Sequence, residues 1–188
     1  MAIAHRKKKA PEKVRRALLD SAGQIVVEYG FSNLTVQAVA SAAGVTKGAF
    51  FHHFPNKQSL IDALSTELLL SLDKLIEDFM EGAEEQYGAF TRAYVKAIMN
   101  QNGDGHLWTS LSASFVVDPA LRKIWTSWLS GRLERHKKTD NDSNLAIVRY
   151  AVDGIWLDDL LHGHKRPAAE HLELQQQLIA LIDGKTHT

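Results

Sequence analysis

The sequence predicts an all-α protein in two parts, and three observations predict it. Apolar residues recur at helical spacing over most of the 188 residues, while few stretches alternate as strands do. Only four prolines interrupt the chain. The formal net charge is zero, yet it is unevenly divided: residues 1–60 hold nine Lys/Arg against three Asp/Glu, and residues 61–188 hold 13 against 19. A basic N-terminal third joined to an acidic remainder implies two jobs in one chain, since the first can approach phosphates and the second is repelled by them.

Each helix follows from local pattern. Val14, Leu18, Ala22, Ile25 and Tyr29 are spaced four, four, three and four, one face of a first helix with Pro11 near its start and Gly30 just past its end. Thr35 is an N-cap, and Val36, Val39, Ala40 and Ala43 form the buried stripe of a short second helix. Gly44 can take the left-handed turn that joins it to a third helix, capped by Thr46 and reaching about His52. Pro55 disfavours helix at Phe54, and Asn56 can cap a fourth helix from Lys57 to Met80. At 1.5 Å per residue this helix is ~36 Å long, enough to bridge two domains. Further helices are expected near 84–100, 106–115, 119–137, 142–162 and 168–183, punctuated by Gly103-Asp104-Gly105, Asp118-Pro119 and His162-Gly163-His164. The expected division is a head at 1–56, with a basic arm at 1–10, and a second domain at 57–188.

Composition excludes several classes. Hydrophobic residues are 45% and charged residues 23%, ordinary for a soluble globular chain. No apolar run reaches about 18 residues, so no transmembrane helix and no membrane partner are expected. No apolar core follows the basic stretch Met1 to Lys9, so no signal peptide is expected. The absence of cysteine excludes disulfides and thiolate–metal sites and fits a cytoplasmic protein. His162, His164 and His171 invite a metal, but two histidines flanking a glycine lack helical ligand spacing and no carboxylate completes a set, so no metal is expected. No phosphate loop, nucleophile elbow or paired catalytic constellation occurs; no catalytic residue and no cofactor are expected.

Residues 35–54 have the form short helix, glycine turn, second helix, aromatic plug, the helix-turn-helix geometry that lays one helix in the major groove of DNA. Val39, Val45, Phe50, Phe54 and Leu60 should form the small core that fixes it. Thr46, Lys47 and Gly48 open the recognition helix, where free amides and the positive dipole end favour phosphate. Gly48 and Ala49 are small enough for close approach to base edges, and His52 and His53 supply polar groups near the far end. The run Gly44-Val45-Thr46-Lys47-Gly48-Ala49-Phe50-Phe51-His52-His53-Phe54-Pro55-Asn56-Lys57-Gln58-Ser59-Leu60, with the preceding Gly30-Phe31, Leu34-Thr35-Val36 and Val39-Ala40, resembles the signature of TetR-type transcriptional regulators. The resemblance covers roughly residues 13–65. It implies DNA contacts from Thr35, Thr46, Lys47, Gly48, Phe51, His52, His53 and Lys57, with Thr35 and Lys57 on phosphates. One departure stands out: the family usually has tyrosine where this chain has Phe51, and that hydroxyl commonly bonds a phosphate. Either the contact is lost, or His52 replaces it, or the ring meets a thymine methyl instead. Arg6-Lys7-Lys8-Lys9, with Arg15 and Arg16 nearby, forms an arm for the DNA backbone or minor groove, or a tail that only aids solubility.

In the acidic remainder, Trp108, Leu111, Phe115, Trp125, Trp128 and Trp156 are either core or the walls of a ligand cavity; the resemblance implies an effector pocket in this domain. Asp153, Asp158 and Asp159 lie in or beside an apolar helix, where a buried carboxylate needs a cationic ligand or an arginine such as Arg149. The helix at 142–162 is apolar nearly all round, and 168–183 carries the stripe Leu174, Leu178, Leu181 and Ile182. These form either a four-helix bundle across a homodimer axis, as the resemblance implies, or a deeply buried pair in a monomer. The resulting expectation is a ligand-responsive regulator with an N-terminal helix-turn-helix DNA-binding domain and a C-terminal helical ligand-binding and dimerisation domain, a repressor released from double-stranded operator DNA by a small apolar or aromatic effector. Two other classes compete with it. One is a helical interaction protein that keeps the head without reading sequence, for which Phe51 is the only support. The other is an all-α enzyme using His106, Asp158 or His162, for which no spacing speaks.

Overall fold

The computed structural model describes residues 2–100, 113–163 and 166–184, with the backbone alone for residues 2–10. Among these residues every regular element is a helix. α1 spans Ala2–Tyr29, α2 Val36–Ala42, α3 Lys47–His53 and α4 Lys57–Met80; a 3-10 turn at Phe31–Asn33 precedes α2. α5 spans Ala89–Ile98, residues 113–117 are helical, and α6 Pro119–Arg135, the one-turn α7 Lys137–Asp140, α8 Ser143–Leu161 and α9 Ala168–Asp183 follow. The chain divides into two compact units, residues 1–68 with 106–124 and residues 69–105 with 125–188. Two of the cuts fall inside α4 and α6.

Three local readings are corrected. α1 does not begin near Pro11 but runs back to Ala2 with Pro11 inside it, because Ala2–Ala10 is rich in Ala, Lys and Arg, residues of high helix propensity. Tyr29, grouped with Val14, Leu18, Ala22 and Ile25 on one apolar face of α1, is 64% exposed at the helix end, where Gly30 turns to φ 81°. The helix expected from 84 starts only at Ala89, after Gly88. At that glycine φ is 69°, and a Cβ would lie 2.7 Å from the Ile182 side chain and 3.0 Å from that of Leu145. Only glycine fits both the turn and the close approach of α8 and α9.

In the first unit, α1 packs on α2 and α3. Leu18, Leu19, Ala22, Ile25 and Val26 meet the buried Leu34, Val39, Ala40, Phe50, Phe54 and Leu60 of the same unit in a dry core. Val45, expected in that core, is only half-buried.

In the second unit, α5 packs against α7, α8 and α9 around Phe90, Tyr94, Val95, Leu145, Val152 and Ile182. This core encloses charge. The buried Asp140 carboxylate accepts hydrogen bonds from the amides of Phe90 (3.1 Å) and Thr91 (2.8 Å) and from the hydroxyls of Thr91 (2.6 Å) and Thr139 (2.8 Å). It thereby caps the α5 N-terminus, where a negative charge complements the helix dipole. Arg149 donates to Thr91 Oγ1 at 2.5 Å, and Tyr94 donates its hydroxyl to Asp153 at 2.6 Å. Arg149 therefore serves the α5 cap rather than Asp158 or Asp159. Those two are held by Arg166, at 2.6 and 2.7 Å, which also reaches Glu170 at 2.8 Å.

Candidate nucleic-acid interface and second-unit hollows

The helix-turn-helix segment is built by three N-terminal caps in succession. Thr35 Oγ1 accepts from the Ala38 amide and Thr46 Oγ1 from the Ala49 amide, each at 3.1 Å. Gly44 turns the chain between α2 and α3 at φ 65°, and the Val45 amide reaches back to Ala40 O at 2.9 Å. Asn56 Oδ1 accepts from the Ser59 amide at 2.8 Å, while Ser59 Oγ accepts from the Asn56 amide at 3.3 Å and donates to Asn56 O at 2.7 Å. That reciprocal arrangement is a capping box with serine in place of the usual Glu or Gln.

α3 has one wet and one dry side. Phe50 and Phe54 are buried, their rings 5.9 Å apart, and pin the helix to the core. Thr46, Lys47, Gly48, Phe51 and His52 are exposed on the other side, and Thr35 is exposed at the start of α2. The two histidines separate. His52 is exposed; His53 is half-buried, its ring 5.3 Å from that of His52, and its pKa is lowered by burial first, then by His52 and Arg15. Burial thus favours the neutral form of His53. Lys57 is half-buried with its ammonium 5.6 Å over the Phe31 ring, so part of its charge is engaged within the protein.

Contacts among α1, α3 and α4 were not foreseen. Arg15 lies 5.1 Å over the Phe54 ring, and Arg16 donates to Glu67 at 3.0 Å and pairs with Asp20 at 2.6 Å. A local i,i+4 pair such as Arg16–Asp20 is visible in sequence, but a partner 51 residues away is not. Gln37 and Ser41 add polar groups to the exposed side of α2; their polarity between alanines and valines was the available signal.

The residues expected as ligand walls belong to both units. Trp108 and Leu111 lie outside the described residues. Phe115 is buried in the first unit. Trp125 and Trp128, in the second, are half-buried with ring centroids 5.0 Å apart, and Trp128 Nε1 donates to Asp73 Oδ1 at 2.8 Å while Arg132 pairs with the same carboxylate. Trp156 is half-buried, and its buried indole N–H has no hydrogen-bond partner. A buried unpaired donor costs about 1–3 kcal/mol, so a ligand acceptor would be stabilised there. Two hollows of the second unit have other walls. One, of about 410 Å³, lies among Phe79, Lys96, Met99, Asn100, His171 and Leu172; the other, of about 180 Å³, lies among Asp73, Ile76, Met80, Arg132, Arg135 and His136.

The histidines raised as metal ligands have other neighbours. His162 Nδ1 lies 2.9 Å from Asp158 O and 3.2 Å from its carboxylate, and His171 Nε2 lies 2.9 Å from Met99 O; His164 lies outside the described residues. Among the described residues no group of three potential ligands converges, and no helix is long and apolar enough to cross a membrane.

Comparison with known proteins matches both parts. A family described as "Bacterial regulatory proteins, tetR family" matches residues 18–64, and one described as "Tetracyclin repressor-like, C-terminal domain" matches residues 88–183. The HTH-type transcriptional regulator BetI of Pseudomonas aeruginosa is 26% identical over 181 residues, spanning 87% of this chain and 90% of BetI. The HTH-type transcriptional repressor KstR2 of Mycobacterium tuberculosis is 24% identical over 186 residues, 92% of each chain. In fold, the chain is similar to the multidrug binding protein EbrR complexed with malachite green, with a TM-score of 0.70 and 20% identity over 89% of this chain and 97% of EbrR.

Proposed function

Because the chain belongs to the tetR family of bacterial regulatory proteins, we propose that it is a ligand-responsive repressor whose α3 reads operator DNA and whose second unit takes a small-molecule effector. The observation that carries the reading is the two-sided α3: Phe50 and Phe54 anchor it while Thr46, Lys47, Gly48, Phe51 and His52 face outward from a basic segment. Thr35, Lys47 and Lys57 are proposed for phosphates, which position the protein, and the remaining exposed residues of α3 for base edges, which specify the sequence. His53 contributes chiefly by packing.

The proposed assembly is a homodimer through α8 and α9. Ile147, Tyr150, Leu157 and Leu161 form one exposed apolar stripe along α8, with Gly154 exposed among them, and Leu172 and Leu181 are exposed on α9. A partner covering this stripe would join two chains, whose recognition helices are proposed to lie about 34–36 Å apart on DNA, one turn of B-form helix. The effector is proposed to be aromatic and to lie against Trp125, Trp128 or Trp156, where the unpaired indole N–H can bond it; EbrR, similar in fold, is complexed with malachite green. α4 contributes residues to both units and is the proposed carrier of the signal. Coupling of about 1–3 kcal/mol between effector and DNA suffices for induction. The proposed place of action is the cytoplasm, with no catalytic role.

Fluorescence anisotropy of the purified chain with duplex DNA from its own upstream region, against a scrambled duplex, at two salt concentrations, tests the proposal. Preferential, saturable binding that weakens steeply with salt is expected. Equal and weak binding to both, with no genomic fragment selected either, would sink it.

A further inference from the structure

The exposed side of α3 carries one large apolar group. Phe51 is 50% exposed between Lys47 and His52, and its ring stands edge-on to the buried Phe50, centroids 5.4 Å apart at 83°. The brace limits the directions the ring can take, and its outer half touches nothing that would remove it from water. Gly48, three residues before it and so on the same side of the helix, has no internal reason to be glycine. A Cβ there would meet only Thr46 Oγ1, at an ordinary 3.7 Å, and its φ is not in the left-handed region. Alanine would fit and would favour the helix by up to about 1 kcal/mol. A clearance that the protein does not use, next to an apolar wedge that it does not bury, points to an object outside the chain.

We propose that Phe51 is a specificity-determining residue that reads the 5-methyl group of thymine in the major groove, with Gly48 supplying the clearance that lets the ring reach it. A phenyl ring has neither donor nor acceptor and cannot read the hydrogen-bonding edges of bases. The thymine methyl is the apolar group that the major groove presents, and apolar side chains meet it there. This rests on the operator-reading proposal above.

Duplexes enriched by the full chain from a random-sequence pool supply the probe. Each thymine is then replaced singly by deoxyuridine, which removes the methyl and leaves base pairing intact. A single uracil at a contacted step should weaken binding about fourfold, the effect of withdrawing one buried methyl. Phe51→Ala should bind more weakly and no longer distinguish thymine from uracil there, while Phe51→Tyr should still distinguish them. Because Phe51 is half-exposed, Phe51→Ala is expected to fold, and an unchanged thermal melt checks this. An enriched site that lacks a recurrent thymine, indifference to uracil at every position, or a Phe51→Ala chain that keeps the discrimination would overturn the inference and leave operator reading intact. Failure to enrich any duplex would overturn operator reading and the inference with it.

Discussion

Among the described residues of the first unit the large buried side chains, Leu18, Leu34, Phe50 and Leu60 among them, are apolar, and the buried polar ones are serines: Ser21, Ser65 and Ser114. In the second, Asp73, Thr91, Asp140, Arg149 and Asp159 are buried beside Phe90, Tyr94 and Val152. The two cores therefore fail differently. An apolar core loses stability with volume, since a cavity forfeits both transfer free energy and dispersion contacts. A core that encloses charge loses it with a partner, since the group left behind is desolvated and uncompensated. A head that must present α3 in one geometry is served by the first kind. A unit that must respond to a bound molecule is served by the second, where pairings can be exchanged.

The largest expected effect tests the dry core. Phe50→Ala should cost about 3–5 kcal/mol, read as a lower urea midpoint, and should abolish DNA binding; a loss under about 1 kcal/mol would show that the head does not depend on this plug. Next comes the charged core. Asp140→Ala removes the acceptor of four hydrogen bonds and should cost about 3 kcal/mol in the same melt, and a neutral result would mean that water replaces the carboxylate. Smaller is the effect of charge on the exposed α8 stripe. Tyr150 is 74% exposed in the single chain, and Tyr150→Glu should weaken self-association tenfold or more by sedimentation velocity; an unchanged sedimentation coefficient would place the interface elsewhere.

The smallest is a matter of pH. Burial raises the Asp153 pKa above its ordinary 3.8, with the Tyr94 hydrogen bond and Arg149 opposing. The folded chain then holds this proton to higher pH than the unfolded one. The stability it contributes is full below 3.8 and declines as pH rises through the folded value. Asp153→Asn should remove that decline, flattening the urea midpoint against pH; a slope identical to that of the parent chain would mean Asp153 stays hydrated.

Legibility in the sequence follows the reach of each interaction. Thr35, Thr46 and Asn56 bond amides three residues on or fewer, so their residue types and spacing suffice, and α2, α3 and the start of α4 fall where the pattern puts them. Tyr29 fits the helical spacing of α1 yet is exposed, because spacing names a face and not whether anything covers it at the last residue of the helix. Asp159 was legible as a buried carboxylate but not its partner: Arg149 is ten residues away on the same helix, whereas Arg166 arrives after the turn at His162 and Gly163. The walls of a hollow are harder still, because they depend on which side chains from distant segments face one space, and the hollows among Phe79, Met99 and His171 or Met80 and Arg132 involve residues that no periodic pattern singles out.

The reciprocal bonding of Asn56 and Ser59 has a mechanical consequence. A helix that is twisted or drawn along its axis usually gives first at a frayed end. α4 is preceded by Pro55, whose ring fixes φ, and by a cap in which three hydrogen bonds must break together, while Phe54 just before them is wedged in the core. There is almost no slack between α3 and α4. Torque on the first turns of α4 is not dissipated by unwinding but delivered to the C-terminal end of α3, so the joint works as a rigid coupling rather than a hinge.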